Sequence, residues 1–327
     1  MACEIGNDLK RAAEILRRGG LVGMPTETVY GLAANAFDPQ AVARIFAAKE
    51  RPAFDPLIVH VPDVSWMPRV VAEFSDLARR LADRFWPGPL TLVLPKTAAV
   101  PDLVTSGLPD VGVRIPGHPL ALELLRVADC PIAAPSANLF GRISPTTAQH
   151  VAEQLADRVD YILDGGPCGV GVESTVVRLS PRPCLLRPGG VSVEDLTQIA
   201  GPLEILASTD HPGDVAQVAP GMLPQHYAPR TPLILNPGNW QALQGRWGVL
   251  CFQQLPARRE FAAQEILSPR GDLPDAAANF FAALRRLDAL NLDGIVAETF
   301  PEAGLGRALN DRLRRAASGH SAPPVGP

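Results

Sequence analysis

Five cysteines, Cys3, Cys130, Cys168, Cys184 and Cys251, are scattered through 327 residues with no C-x-x-C pair and an odd total. A scattered, odd set does not encourage a disulfide framework, and thiolate zinc sites need closely spaced pairs, so neither is expected and small buried thiols are the ordinary role left. Nowhere does an apolar run approach the ~20 residues of a membrane span. Residues 1–10 lack a basic segment followed by an apolar one, which leads us to expect a cytoplasmic protein with no membrane association. Neither G-x-G-x-x-G nor G-x-x-x-x-G-K-[ST] occurs, so the dinucleotide fingerprint and the P-loop are both excluded. The formal net charge of −4 argues against a surface that coats nucleic acid, because such binding depends on many Lys and Arg. Internal repeats and low-complexity runs are missing too.

Proline and glycine are plentiful, and they fall as punctuation between periodic segments. Asn7 is expected to cap a helix with Leu9, Ala12, Ala13 and Leu16 on one face, ended by Gly19 and Gly20. A strand over 21–24 then enters a loop over 25–32. A helix over 40–48 buries Val42, Ile45 and Phe46, which sets Lys49 and Arg51 just beyond its end. In a strand over 57–61, Leu57, Val59 and Val61 point one way while Ile58 and His60 point the other. Further strands fit 91–94, 111–115, 132–134, 161–163, 175–179 and 184–186, with helices near 75–84, 119–128 and 147–155. Ser192 starts a short helix, after which 201–232 is rich in Pro, Gly and polar residues and marks a boundary. Beyond it, buried strands over 233–235, 248–252 and 294–297 alternate with helices over 273–290 and 305–316, the pattern of a small parallel sheet. The chain reads as α/β.

Local chemistry centres on few residues. Thr26 and Thr28 sit in a Gly/Pro-framed turn that can hold a small polar substrate. Lys49 and Arg51, two apart, can neutralise a polyphosphate; a solvated helix end is the bland alternative. Arg114 shares its strand face with Gly112, which leaves room for a carboxylate or phosphate, or else is a surface charge on an edge strand. His118, at a helix start, reads as a cap or packing residue. Ser136, Asn138 and Ser144 offer donors and acceptors among small residues, although Ser and Asn turns are common. The glycines around Glu173, Ser174 and Thr175 read as a strand-to-strand turn.

In their order along the chain, residues 25–32, Lys49 to Pro52, and Ser136 to Asn138 resemble the YrdC/Sua5 family, the threonylcarbamoyl-AMP synthases that begin a modified adenosine of tRNA. Gly221 and Met222, with His226, Tyr227, Ala228 and Pro229, resemble the linker of the longer Sua5 form. The resemblance implies a YrdC-like twisted mixed sheet with helices over 1–200 and a linker over 201–231 acting as a lid. It further implies a smaller Rossmann-like α/β/α Sua5 domain over 232–318 and a disordered tail over 319–327. L-threonine would meet Thr28, His60, Arg114, the backbone near Ala134, and Ser174, with Arg114 on its carboxylate. ATP would meet Lys49, Arg51, Asp55, Ser136, Asn138, Ser144, Arg187 and Tyr227. Lys49, Arg51 and Arg114 would carry catalysis. Many relatives have Asn where Asp55 stands; an acid there would repel phosphate unless it met magnesium or a ribose hydroxyl. Asp110 is a second departure.

The implied reaction joins L-threonine, bicarbonate and ATP into threonylcarbamoyl-AMP and pyrophosphate, with Mg²⁺ accompanying ATP and no dedicated protein metal site. The product would pass to a tRNA threonylcarbamoyl transferase. Two alternatives compete: a structured-RNA-binding module with a vestigial nucleotide pocket, and a carbamoyl transferase like the hydrogenase-maturation proteins. The second also requires zinc-binding Cys pairs that this chain lacks.

Overall fold

The computed structural model describes residues 3–206, 226–236, 243–255 and 260–318. Sequence expectations for Gly221, Met222, most of the 201–231 linker and the 319–327 tail lie outside the described residues. The larger part of the chain runs β1 (Ile5–Gly6), α1 (Leu9–Arg17), β2 (Val22–Met24), β3 (Gly31–Asn35), α2 (Pro39–Lys49), β4 (Ile58–His60), α3 (Met67–Val70), α4 (Asp76–Phe85), β5 (Leu90–Pro95), α5 (Asp102–Thr105), β6 (Asp110–Arg114), α6 (Pro119–Ala128), β7 (Ile132–Ala133), α7 (Ala148–Leu155), β8 (Tyr161–Leu163), β9 (Thr175–Arg178), β10 (Cys184–Arg187), α8 (Val193–Ala200) and β11 (Glu204–Ile205). A second part comprises β12 (Leu233–Leu235), β13 (Trp247–Cys251), β14 (Ala263–Ile266), α9 (Leu273–Asp288), β15 (Gly294–Ala297) and α10 (Leu305–Ala317).

The first eleven strands form one mixed sheet in the order β1-β8-β2-β3-β7-β4-β6-β5-β9-β10-β11, and the last four form an all-parallel sheet in the order β12-β15-β13-β14. Helices cover the large sheet because its strands are apolar on both faces: α1 and α6 pack together against β2 and β8, burying Leu16, Leu124 and Leu163. Such fully covered strands are expected when crossovers place helices on both sides. Among the described residues no helix is long and apolar enough to cross a membrane.

Several local expectations need correcting. Asp8, not Asn7, caps α1, accepting from the Arg11 amide at 3.0 Å. Residues 31 and 32 leave the expected loop and begin β3, whose Gly-Leu-Ala-Ala-Asn run carries little β propensity yet is buried between β2 and β7; tertiary pairing overrides propensity there. Lys49 is the last residue of α2 and not beyond it, and Glu50 turns the chain with φ of 54°. Lys49 and Arg51 thus sit on either side of a helix stop, not along one extended segment. Arg114 belongs to β6, a strand flanked by β4 and β5 and not at an edge. β14 escaped the sequence reading because it alternates at the sheet margin, with a burial pattern too shallow to stand out.

Candidate active site

Two loops make the floor of a cleft by bonding to each other. Residues 25–30 leave β2 and residues 134–146 leave β7. The Tyr30 amide donates to Pro145 O, the Leu32 amide to Pro135 O and the Ala137 amide to Tyr30 O, all at 2.8–2.9 Å. Thr26 shapes the first loop by accepting from the Thr28 and Val29 amides, a hydroxyl turn that aims the Thr28 Oγ1 inward. The central strands add a polar face. In the parallel pair β4 and β6, Ile58 lies opposite Gly112 and His60 opposite Arg114, so the alternation read from the sequence puts His60 and Arg114 side by side. Beside them, Ser174 Oγ meets Thr91 Oγ1 at 2.8 Å.

The cleft encloses about 520 Å³ including its mouth and is lined by Thr26, Thr28, Arg51, Ile58, His60, Arg114, Ala134, Ser136, Glu173, Ser174, Arg187, His226 and Tyr227, with a few small residues. Nine residues expected at the site, Thr28, Arg51, His60, Arg114, Ala134, Ser136, Ser174, Arg187 and Tyr227, therefore converge on it. Four others stand behind the wall. Lys49 is buried, its ammonium donating to Ser136 O at 2.5 Å and to Asn138 O. Asn138 spends its amide on Leu139 O and Arg142 O. Ser144 donates to Glu173 Oε1 at 2.5 Å. Asp55 is fully buried and ion-paired with Arg51 at 2.9 Å, which answers the puzzle of an acid beside phosphates: its charge is met by a guanidinium and not aimed into the cleft.

Glu27, Glu173 and His226 have positions the sequence reading did not give them. Glu27 Oε1 pairs with Arg114 Nη2 at 2.5 Å, while Arg114 Nη1 donates to Thr28 Oγ1 at 2.9 Å. Glu173 had passed for a turn residue, since a single acid among glycines carries no pattern. His226 stacks edge-on against Tyr227, centroids 4.2 Å apart. Tyr227 takes φ of 62°, an uncommon conformation for a bulky residue that marks this segment as held by its surroundings. His118 does cap α6, accepting from the Leu120 amide.

Burial sets the charge states. The His60 imidazole is pushed down to about 3 by burial and by Arg114, and His226 is also held well below its ordinary value by burial and the neighbouring Arg51 and Lys49. Both rings are neutral near pH 7. Lys49 is lowered strongly, first by burial and then by Arg51. The Tyr227 hydroxyl and the Nδ1 atoms of His60 and His226 are buried without a hydrogen-bond partner among the described residues. Orphan polar atoms of that kind are rare away from sites that receive something. Three guanidiniums, neutral imidazoles and unclaimed donors in one cleft suit a ligand bearing both a carboxylate and phosphates.

Residues 14–189 match the family model described as "Telomere recombination", and residues 191–318 match "Threonylcarbamoyl-AMP synthase, C-terminal domain". Threonylcarbamoyl-AMP synthase of Bacillus subtilis is 42% identical over 95% of this chain and 93% of its own length; that of Pyrococcus abyssi is 42% identical over 94% and 93%. The chain belongs to the threonylcarbamoyl-AMP synthase family. A crystal structure of P. abyssi Sua5 complexed with L-threonine superposes with a TM-score of 0.89 at 40% identity, covering 97% of this chain and 98% of that one. The Sua5 likeness spans both sheets, so the long, two-part family form is the one present here.

Proposed function

We propose that the chain is an L-threonylcarbamoyladenylate synthase, taking threonine, bicarbonate and ATP into this cleft and releasing threonylcarbamoyl-AMP and pyrophosphate. The observation that carries the reading is the convergence of Arg51, Arg114 and Arg187 with the unpartnered atoms of His60, His226 and Tyr227 on one cleft. On this reading Thr28, His60, Arg114, Ala134 and Ser174 receive threonine, and Arg114 meets its carboxylate while still touching Glu27. Arg51, Ser136, Arg187 and Tyr227 receive ATP, and Lys49, Asp55, Asn138 and Ser144 support that half from behind the wall. The segment from His226 to Ala228 acts as the lid, pinned by the Ala228 amide on Gly141 O at 2.8 Å.

The chemistry asks more of position and charge than of proton transfer. A neutral threonine amine attacks the carbon of bicarbonate; the C–N bond forms, water leaves and a carbamate anion remains. A carbamate oxygen then attacks the α-phosphorus in line, the bond to the bridging oxygen breaks, and pyrophosphate departs with the electron pair. The cations lower the barrier by meeting charge as it spreads over the phosphoryl oxygens. His60 and His226, both neutral, act as hydrogen-bonding groups. We propose that Mg²⁺ travels on the phosphates of ATP, since that ion takes most of its ligands from substrate phosphates and water. The product, an activated carbamoyl–phosphoryl mixed anhydride, suits a transferase acting on an adenosine amine of tRNA, and the cytoplasm is the proposed compartment. Labelled bicarbonate is expected to enter an acid-labile adenylate only when threonine and ATP are both present; folded protein that binds ATP yet forms none of it overturns the reading.

A further inference from the structure

One side chain of the C-terminal part reaches the cleft wall from behind. Arg312, on α10, is completely buried. Its Nε donates to Glu173 Oε2 at 2.9 Å, and its Nη1 donates to Pro188 O and to Asp311 Oδ2, both at 2.8 Å. The other oxygen of the same carboxylate receives the Ser144 hydroxyl. A single buried glutamate thus bridges α10 to Ser144, and neither oxygen is left for solvent. The guanidinium also lies 5.2 Å from the centroid of the Tyr227 ring, a cation–π distance.

An arginine whose only task was to join two domains would not need to touch the wall. The pair between Arg307 of α10 and Glu194 of α8, at 2.6 Å and partly exposed, is such a fastening, and neither residue lines the cleft. Arg312 differs: it is buried, its guanidinium bonds through both Nε and Nη1, and two of its partners, Glu173 and Tyr227, line the cleft. Without it Glu173 would be a buried carboxylate that has lost its ion-pair partner, and would turn away. That change releases the Ser144 hydroxyl, because a displaced acid no longer holds it in one rotamer.

We propose that Arg312 is a positioning residue for adenylate synthesis: through Glu173 it orients Ser144, and through its guanidinium face it orients Tyr227, so that docking of α10 assembles the ATP half of the cleft. The proposal rests on the assignment of ATP to that half. It gives the C-terminal part a direct share in the reaction, acting at the wall without touching the substrate.

The test uses the full chain and measures KM for ATP and for threonine by pyrophosphate release, in Arg312→Met, Ser144→Ala, the double variant and Arg307→Ala. Arg312→Met is expected to raise the ATP KM about ten-fold, a loss of about 1.4 kcal/mol, and to leave the threonine KM within about two-fold. Ser144→Ala does the same to a smaller degree, the double variant is no worse than Arg312→Met because the two act as one unit, and Arg307→Ala matches wild type. Arg312→Lys keeps the charge without the fork and recovers the ATP KM only partly. If Arg312→Met does not fold, Arg312→Lys and Glu173→Gln carry the same comparison. Wild-type kinetics in Arg312→Met, an equal rise in both KM values, or losses that multiply in the double variant overturn the proposal. A wild-type ATP KM in Ser144→Ala overturns the ATP assignment and the proposal with it; a raised one beside unchanged Arg312→Met overturns the proposal alone.

Discussion

Arg51 and Arg114 bring similar charge to the cleft under different constraints. Arg114 stands on a central strand with Glu27 and Thr28 as partners, so its guanidinium is already oriented for the carboxylate proposed to meet it. Arg51 neutralises a fully buried Asp55, and breaking such a pair costs about 3–5 kcal/mol because the remaining charge is uncompensated. Arg51→Ala alone therefore confuses binding with stability, whereas Arg51→Ala combined with Asp55→Asn removes both charges. Arg114→Ala is expected to raise the threonine KM ten-fold or more, at about 1.5–3 kcal/mol for a charged hydrogen bond, with the ATP KM within about two-fold. The Arg51→Ala/Asp55→Asn protein should show the reverse. Steady-state kinetics on variants with wild-type circular dichroism checks this, and equal losses for both substrates would mean that the division of the cleft is wrong.

The contact that seats the C-terminal part is made largely by α9. Its Phe280 and Phe281 join Val29, Ile143, Val172 and Tyr227 in one apolar cluster, while Arg285 donates to Ile143 O at 2.5 Å and Ser144 O at 3.4 Å. A tight approach falls at Gly171, where φ is +76° and a Cβ would lie 2.2 Å from Ala277 O and 2.5 Å from Ala278 Cα. Gly141 has nearly the same φ, +77°, with nothing within 4 Å of that position. Alanine at Gly141 should cost only the left-handed strain, about 1–2 kcal/mol. Gly171→Ala should cost that plus overpacking of about 1–3 kcal/mol, and should lower adenylate synthesis by lifting α9 from the cleft. Thermal unfolding of the two variants gives the comparison; equal losses in both would show that α9 is not tightly seated.

At the scale of the molecule, the cleft is lined by the large sheet, its loops and the segment holding His226 and Tyr227, with the C-terminal part packed behind its wall. The large sheet and its loops supply Arg51, Arg114 and Arg187; the segment after it supplies His226 and Tyr227; α10 sets Arg312 behind the wall. The first part holds its own apolar clusters, so a chain ending at Leu206 should fold, with a cooperative melt. It should lose most coupled synthesis, since the orphan-bearing lid side chains and the Glu173 counter-charge are gone together. Full activity in that shortened chain would leave 201–231 as a tether between independent parts.

Periodicity and punctuation were enough for most elements. α6, β8, β12 and β15 match the sequence reading to the residue, because each is bounded by strong signals: proline at a helix start, or a compact apolar run between polar turns. Strand alternation alone also set His60 and Arg114 on the faces they occupy. What local pattern could not supply was partnership across the chain. β3 is a strand because β2 and β7 flank it, Asp55 is tolerable because Arg51 folds back on it, and Glu173 matters because Arg312, 139 residues later, arrives at its carboxylate. A residue type states which charge or hydrogen bond is on offer; only the packed structure, where burial makes each unpaired group costly, decides which group accepts it.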